Sequence, residues 1–170
     1  MPDLVSHAAS AFVFRNFFNK LKVCKGPFFF MLLFGVFLPD FISRGSMLVA
    51  PRFFLVSQFF HTPLGCILQT ILISCLFVKK QRFLVFVAIT CGWILHQVFD
   101  ACQSTVGPGY YYFFWPLYGE ALSLNLFLAK YWGYVATITI SIAVLTHGRT
   151  ISWVKRALGR GEQIGLEEVD

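Results

Sequence analysis

The sequence predicts an all-α protein, a polytopic membrane helical bundle of about five short transmembrane helices. Composition is the first reason: 57% of the 170 residues are hydrophobic and 13% are charged. A soluble domain carries about 25% charged residues. That much apolar surface does not fit inside one small soluble core, but it suits lipid as solvent. The second reason is order along the chain, because apolar runs alternate with short connections that hold nearly all the basic residues. The 21 Phe residues supply bulk for a lipid-facing surface. The length allows one compact domain, read as a transmembrane helical domain over 1–147 and a cytoplasmic, basic-then-acidic tail over 148–170.

The first run, Leu4 to Phe18, is mostly apolar and holds His7 and Arg15. The stretch MPDLVSHAAS lacks the basic n-region of a cleaved signal peptide, so this first helix is expected to be retained. Gly26-Pro27 opens the second run, Phe28 to Leu38, which is purely apolar, and Pro39-Asp40 is expected to close it. A full crossing takes about 20 apolar residues. The first two runs are therefore expected to thin the bilayer, to snorkel their flanking Lys and Arg, or to cross it in part. Thr62 is placed to cap a third helix, with Pro63 in its first turn, running to Val78. Phe83 to Phe99 forms a fourth, and Gly107-Pro108-Gly109 a loop after it. Ala121 to Thr146 is long enough for a fifth, interrupted by Lys130, which is read as snorkelling or paired with an acid. In the tail, Ile151, Trp153, Val154 and Leu158 among basic residues suggest a segment lying on an anionic leaflet.

Charge fixes the expected orientation. The end of run one and the connection after it carry Arg15, Lys20, Lys22 and Lys25, the connection between runs three and four Lys79, Lys80 and Arg82, and the tail after run five Arg149, Lys155, Arg156 and Arg160. The other two connections hold only Arg44 and Arg52. The positive-inside tendency then puts the N-terminus outside and the C-terminus in the cytoplasm of a multi-pass inner (plasma) membrane protein. The net charge of +6 is explained by these flanks, and no nucleic-acid face is expected. The five cysteines (Cys24, Cys66, Cys75, Cys91 and Cys102) include no CxxC pair and read as small hydrophobes rather than a disulfide framework. Cys102 has no basic neighbour to activate it.

That orientation gathers chemistry at one depth. His7 begins run one, Asp40 ends run two, His61 precedes run three, and His96 and Asp100 end run four, all on the non-cytoplasmic side. His147 sits at the opposite end of run five. The four-residue spacing of His96 and Asp100 puts both on one helix face. Imidazole nitrogens and carboxylate oxygens suit zinc, iron or manganese. Each residue also has a plainer reading: a hydrogen-bonded His/Asp pair, a helix-stop Asp40, a helix-entry His61, an interfacial His7. Ionisable groups at membrane depth are costly, which favours a shared polar site. Tyr110 to Pro116 follows the cluster, as an aromatic belt or as a wall guiding a lipid chain. Glu120 reads as a further ligand or as a helix-start acid.

Ser6-His7, Leu38-Pro39-Asp40, His61-Thr62-Pro63-Leu64-Gly65, His96-Gln97-Val98-Phe99-Asp100 and Trp115-Pro116-Leu117 occur in the order that resembles the LexA-regulated, membrane-bound metal-dependent hydrolases, over about residues 4–130. That family looks like a membrane relative of zinc-dependent phospholipase C. The resemblance implies His7, Asp40, His61, His96 and Asp100 as ligands of a divalent metal, zinc before manganese or iron, and metal-assisted hydrolysis of a phosphoester. Two positions depart from the pattern. Ile42 stands where many members carry a second acid, and Val56-Ser57-Gln58 replaces a stretch with a further His and Arg, which argues against a two-metal site.

The expectation is therefore a membrane-bound hydrolase acting on a phosphoester or lipid head group near the non-cytoplasmic face, with Asp40 and His96 as catalytic candidates. A non-catalytic membrane subunit or assembly factor with a structural His/Asp network, working with membrane protein partners, is the rival. A proton-relay or transport component is the third reading, weakened because the cluster lies at one face and no inverted repeat is visible.

Overall fold

A computed structural model of the chain describes residues 4–49, 52, 54–104, 114, 117–118, 123–148 and 151–152. Among these residues the fold is helical: α1 (Leu4–Phe17), α2 (Gly26–Val49), α3 (Phe54–His61), α4 (Pro63–Cys75), α5 (Lys79–Cys102) and α6 (Trp132–Leu145). Single 3-10 turns precede α2 and α6. A two-residue parallel pair sets Gln103 opposite Phe127 and Ser104 opposite Leu128. The aromatic stretch up to Pro116, apart from Phe114, lies outside the described residues, as do Glu120 and the tail beyond Ser152.

Several boundaries differ from the expectation. Run two does not stop at Pro39: α2 continues to Val49 with Pro39 inside it. The missing N–H of Pro39 leaves the Gly35 carbonyl without its helical donor, a cost of about 3 kcal/mol. Packing outweighs that cost, because Leu32, Val36, Leu38 and Pro39 are all fully buried. Run two is thus not short. At 24 residues α2 spans about 36 Å, against roughly 30 Å of hydrocarbon. Helix α5 also has 24 residues, because it starts at Lys79 and takes in the basic connection. Run five is shorter than expected. Its helix begins only at Trp132, and Lys130 lies ahead of it, 5.0 Å from the Tyr131 ring centre. Two helices, Gly26–Ser46 and Lys79–Cys102, are long and apolar enough to cross a membrane. The others have between 8 and 14 residues.

The core is the pairing of α2 with α5, the most extensive among the described elements. Two glycines allow it. A Cβ on Gly35 would sit 2.3 Å from the Ile89 carbonyl oxygen, and one on Gly92 2.1 Å from the Leu32 carbonyl oxygen. The two backbones therefore touch, as small residues permit between packed helices. Ala11 of α1, Leu32 and Val36 of α2 and Ala88 of α5 close one side of this crossing. Leu38, Cys66, Val85, Ile89 and Trp93 close the other, bringing in α4. Helix α6 packs on α1, where Asn16 Nδ2 donates to the Ala143 carbonyl (2.8 Å) and to Thr146 Oγ1 (3.1 Å).

Beside this apolar core, large apolar side chains are exposed and several polar ones are buried. Phe41 is 75% exposed and Phe83 78%, whereas His7, Asp40, Ser43, His61, Gln97 and His96 are buried.

Candidate metal centre

Four helices bring the five predicted residues to one point. Helix α1 supplies His7 from a segment of small residues, with Ser6, Ala9, Ser10 and Ala11 buried beside it. Ser10 Oγ donates to the His7 carbonyl at 2.7 Å. Five residues beyond Gly35, α2 supplies Asp40. Four and eight residues beyond Gly92, α5 supplies His96 and Asp100. Because Asp40 and His96 meet, α2 and α5 leave their crossing in the same direction.

His61 arrives differently from the expectation. It precedes the third run, as expected, but also ends α3, a short helix not expected from the sequence. The last carbonyls of a helix have no internal partner, and three side chains satisfy them here. Thr62 Oγ1 donates to the Phe59 carbonyl (2.7 Å), Gln69 Nε2 to Phe60 (2.7 Å) and Gln97 Nε2 to His61 itself (2.6 Å). Thr62 also caps α4 as expected, accepting from the Gly65 amide at 3.3 Å. Residues from α4 and α5 thereby lock the turn that aims His61.

His96 Nε2 lies 3.1 Å from Asp100 Oδ2, and His61 Nε2 lies 3.3 Å from the same oxygen. The two Nε2 atoms are 3.1 Å apart. These three atoms form a nearly equilateral triangle. Asp40 Oδ1 stands 3.4 Å from His61 Nε2, and His7 Nε2 3.6 Å from Asp100 Oδ1. The His7 ring stacks on that of His96, with centres 4.1 Å apart, and the His61 ring meets His96 edge-on. Donors about 2.0–2.2 Å from one tetrahedral ion lie roughly 3.3–3.6 Å from one another. The observed separations fall at or just below that range. Two groups, His7/His96/Asp100 and Asp40/His61/His96, have their ligand atoms within 4.8 Å of one another, and either can hold a metal ion.

Unsatisfied atoms point the same way. His7 is fully buried, yet neither ring nitrogen has a hydrogen-bond partner among the described residues, and Asp40 Oδ1 has none either. Buried polar atoms are seldom left so, because burial without a partner costs free energy. Nor can one Nε2–H on His61 serve Asp40, Asp100 and His96 together, because it carries a single proton. A cation at their centre would satisfy His7 Nε2, Asp40 Oδ1 and the crowded His61 Nε2. Against this, the Nδ1 atoms of His7 and His96 meet no described acceptor, and such an acceptor usually orients a ligating imidazole.

Arg44, Gln97 and the Gly35/Gly92 crossing were not among the predicted site residues. Arg44 lies one turn beyond Asp40, with Nη2 3.1 Å from Asp40 Oδ2. The i,i+4 spacing that paired His96 with Asp100 would have found it. His147 is exposed and far from the cluster in sequence and fold, at one end of a cavity of about 490 Å³ between α1 and α6 that none of the five residues lines.

No family model matches the chain, and neither a curated protein nor a solved structure matches it. The likeness to metal-dependent hydrolases rests on the short motifs alone.

Proposed function

We propose that the chain is a membrane-bound, metal-dependent hydrolase acting on a phosphoester or related lipid head group near the non-cytoplasmic face. The observation that carries this reading is the spacing of His61 Nε2, His96 Nε2 and Asp100 Oδ2, with Asp40 Oδ1 beside them. That is a donor set for zinc, with manganese or iron as alternatives. When bound, such an ion polarises a phosphoryl oxygen and supplies a nucleophile at neutral pH. His61, His96, Asp100 and Asp40 would hold it, with His7 completing the set or passing protons. A carboxylate not bound to the ion would accept a proton as general base.

Location follows from the same features. Two helices of membrane length, the apolar exterior and the basic connections support a multi-pass protein of the inner (plasma) membrane. Its cluster faces outward, its N-terminus is outside and its C-terminus cytoplasmic. The bilayer is its first partner and a lipid its nearest substrate.

A second reading has an observation of its own. The His61–His96 and His96–Asp100 contacts, both 3.1 Å, are also hydrogen-bond distances. A structural His/Asp network in a non-catalytic subunit would use them without an ion. Metal content decides between the two. Wild-type protein purified in detergent should carry close to one equivalent of zinc, manganese or iron, and His96→Ala should carry none while keeping its helical signal. A wild-type protein that takes up no ion, even when dialysed against each, ends the hydrolase reading.

A further inference from the structure

Arg44 has no role in holding an ion, yet it stands at the rim of the cluster. Its side chain is 45% exposed, whereas its partner Asp40 is 3% exposed. One nitrogen, Nη2, meets Asp40 Oδ2 at 3.1 Å. A guanidinium has five N–H donors in a planar fork, so most of Arg44's donors remain outside that contact. Asp40 thus bridges the cluster and its rim, with Oδ1 turned to His61 and Oδ2 to Arg44. Among the described residues, Arg44 is the one Lys or Arg paired with a carboxylate of the cluster.

Charge then selects the ligand. The two positive charges of a divalent ion cancel against Asp40 and Asp100, and the imidazoles bind as neutral groups. The charge of Arg44 is left over, at the partly exposed rim of the cluster. A site with one uncancelled positive charge favours an anion. A planar fork beside a Lewis acid suits a tetrahedral oxyanion, with one oxygen turned to the ion and another to the fork.

We infer that Arg44 is the anion clamp of this site and that the bound group is a phosphoryl anion, shared between Arg44 and the ion. The inference rests on the metal reading above. It adds to it the residue that selects the substrate. Free phosphate and a lipid phosphate head group present the same chemistry, and the test separates them.

Manganese serves as a paramagnetic ion in the detergent-solubilised full chain, with zinc added to displace it as the control. The probes are inorganic phosphate and a short-chain phosphatidic acid, each read by broadening of its phosphorus resonance near the bound ion. Broadening of both shows that the phosphoryl group suffices. Broadening of the lipid alone places the preference on the head group in its membrane setting. In either case Arg44→Gln should weaken the affinity at least tenfold, and Arg44→Lys should fall between, having charge without the fork. Both variants should retain manganese, since Arg44 does not ligate it. If Arg44→Gln broadens the probes as the wild type does, the clamp is wrong and the metal reading stands. The clamp alone also fails if the wild type binds manganese but broadens neither probe. A wild type that binds no manganese removes the metal reading and the clamp together.

Discussion

Replacing Gly92 with alanine tests whether the α2–α5 crossing sets the site. The added Cβ would lie 2.1 Å from the Leu32 carbonyl oxygen and 2.8 Å from the Val36 amide nitrogen. Both are backbone atoms of a helix and cannot swing away. Carbon and carbonyl oxygen in packed helices sit about 3.3–3.6 Å apart, so the helices must separate by roughly 1.2 Å or more at that point. Overpacking of this kind costs about 1–3 kcal/mol. The larger effect falls on the site. His96 is one turn beyond Gly92, and Asp40 one turn beyond Val36. A separation of roughly 1.2 Å is several times the tolerance of about 0.2 Å that a metal site allows its ligands. Gly92→Ala should therefore keep its helical circular dichroism but lose at least about 100-fold in zinc affinity, measured by competition with a chromogenic chelator. Zinc affinity within threefold of wild type would refute the claim that this crossing positions the ligands.

The remaining predictions address the supports of the site and the orientation. Gln97→Leu leaves the buried His61 carbonyl without its donor, costing about 1–3 kcal/mol of stability and about 10–100-fold in metal affinity, by the same competition assay. Asn16→Leu removes the two α1–α6 hydrogen bonds, worth about 0.6–1.7 kcal/mol in a membrane helix pair. It should speed proteolysis of α6 but leave zinc affinity within twofold, because Asn16 is nine residues, roughly 13 Å, from His7. Zinc at about 100 times its dissociation constant should stabilise the fold by about 2.7 kcal/mol in thermal or chemical unfolding, reversed by a chelator. In a variant whose other four cysteines are alanine, the exposed Cys75 should react with an impermeant maleimide only after the cytoplasmic face is opened. Reaction in intact cells would invert the orientation.

The parts of the site legible in the sequence were those governed by local spacing or by charge bias. His96 and Asp100 share a helix face because four residues make about one turn, and their contact at 3.1 Å follows. Thr62-Pro63 read correctly as a helix start because capping is a local rule. Pro39 misled because its local cost is real but was outweighed by contacts with residues some 50 positions away. The Gly35–Gly92 contact left only a weak trace, two glycines inside apolar helices, whose purpose depends on each other's position. Helix α3 is eight residues long and gains its order from Thr62, Gln69 and Gln97 at its end, a set that only the folded chain assembles. Arg44 was readable from its spacing to Asp40, but it served only in the orientation count.

The two readings of the cluster differ by one unit of net charge. Asp40 and Asp100 bring two negative charges into a buried site, and Arg44 brings one positive charge. An apolar surround penalises the uncompensated remainder. A structural network removes it by protonating one imidazole, giving a neutral cluster with no attraction for anions. A divalent ion overshoots by one, giving a positive site. The three imidazoles outnumber what the first solution requires. One protonated histidine suffices for charge, yet three are buried around two carboxylates, and both His7 nitrogens are left without a hydrogen bond among the described residues. A bound ion would take His7 Nε2 as a ligand, whereas a salt-bridge network would hold that nitrogen to Asp100 Oδ1 at 3.6 Å. The excess of imidazole over charge therefore favours the ion, whose charge would leave that of Arg44 free to attract an anion.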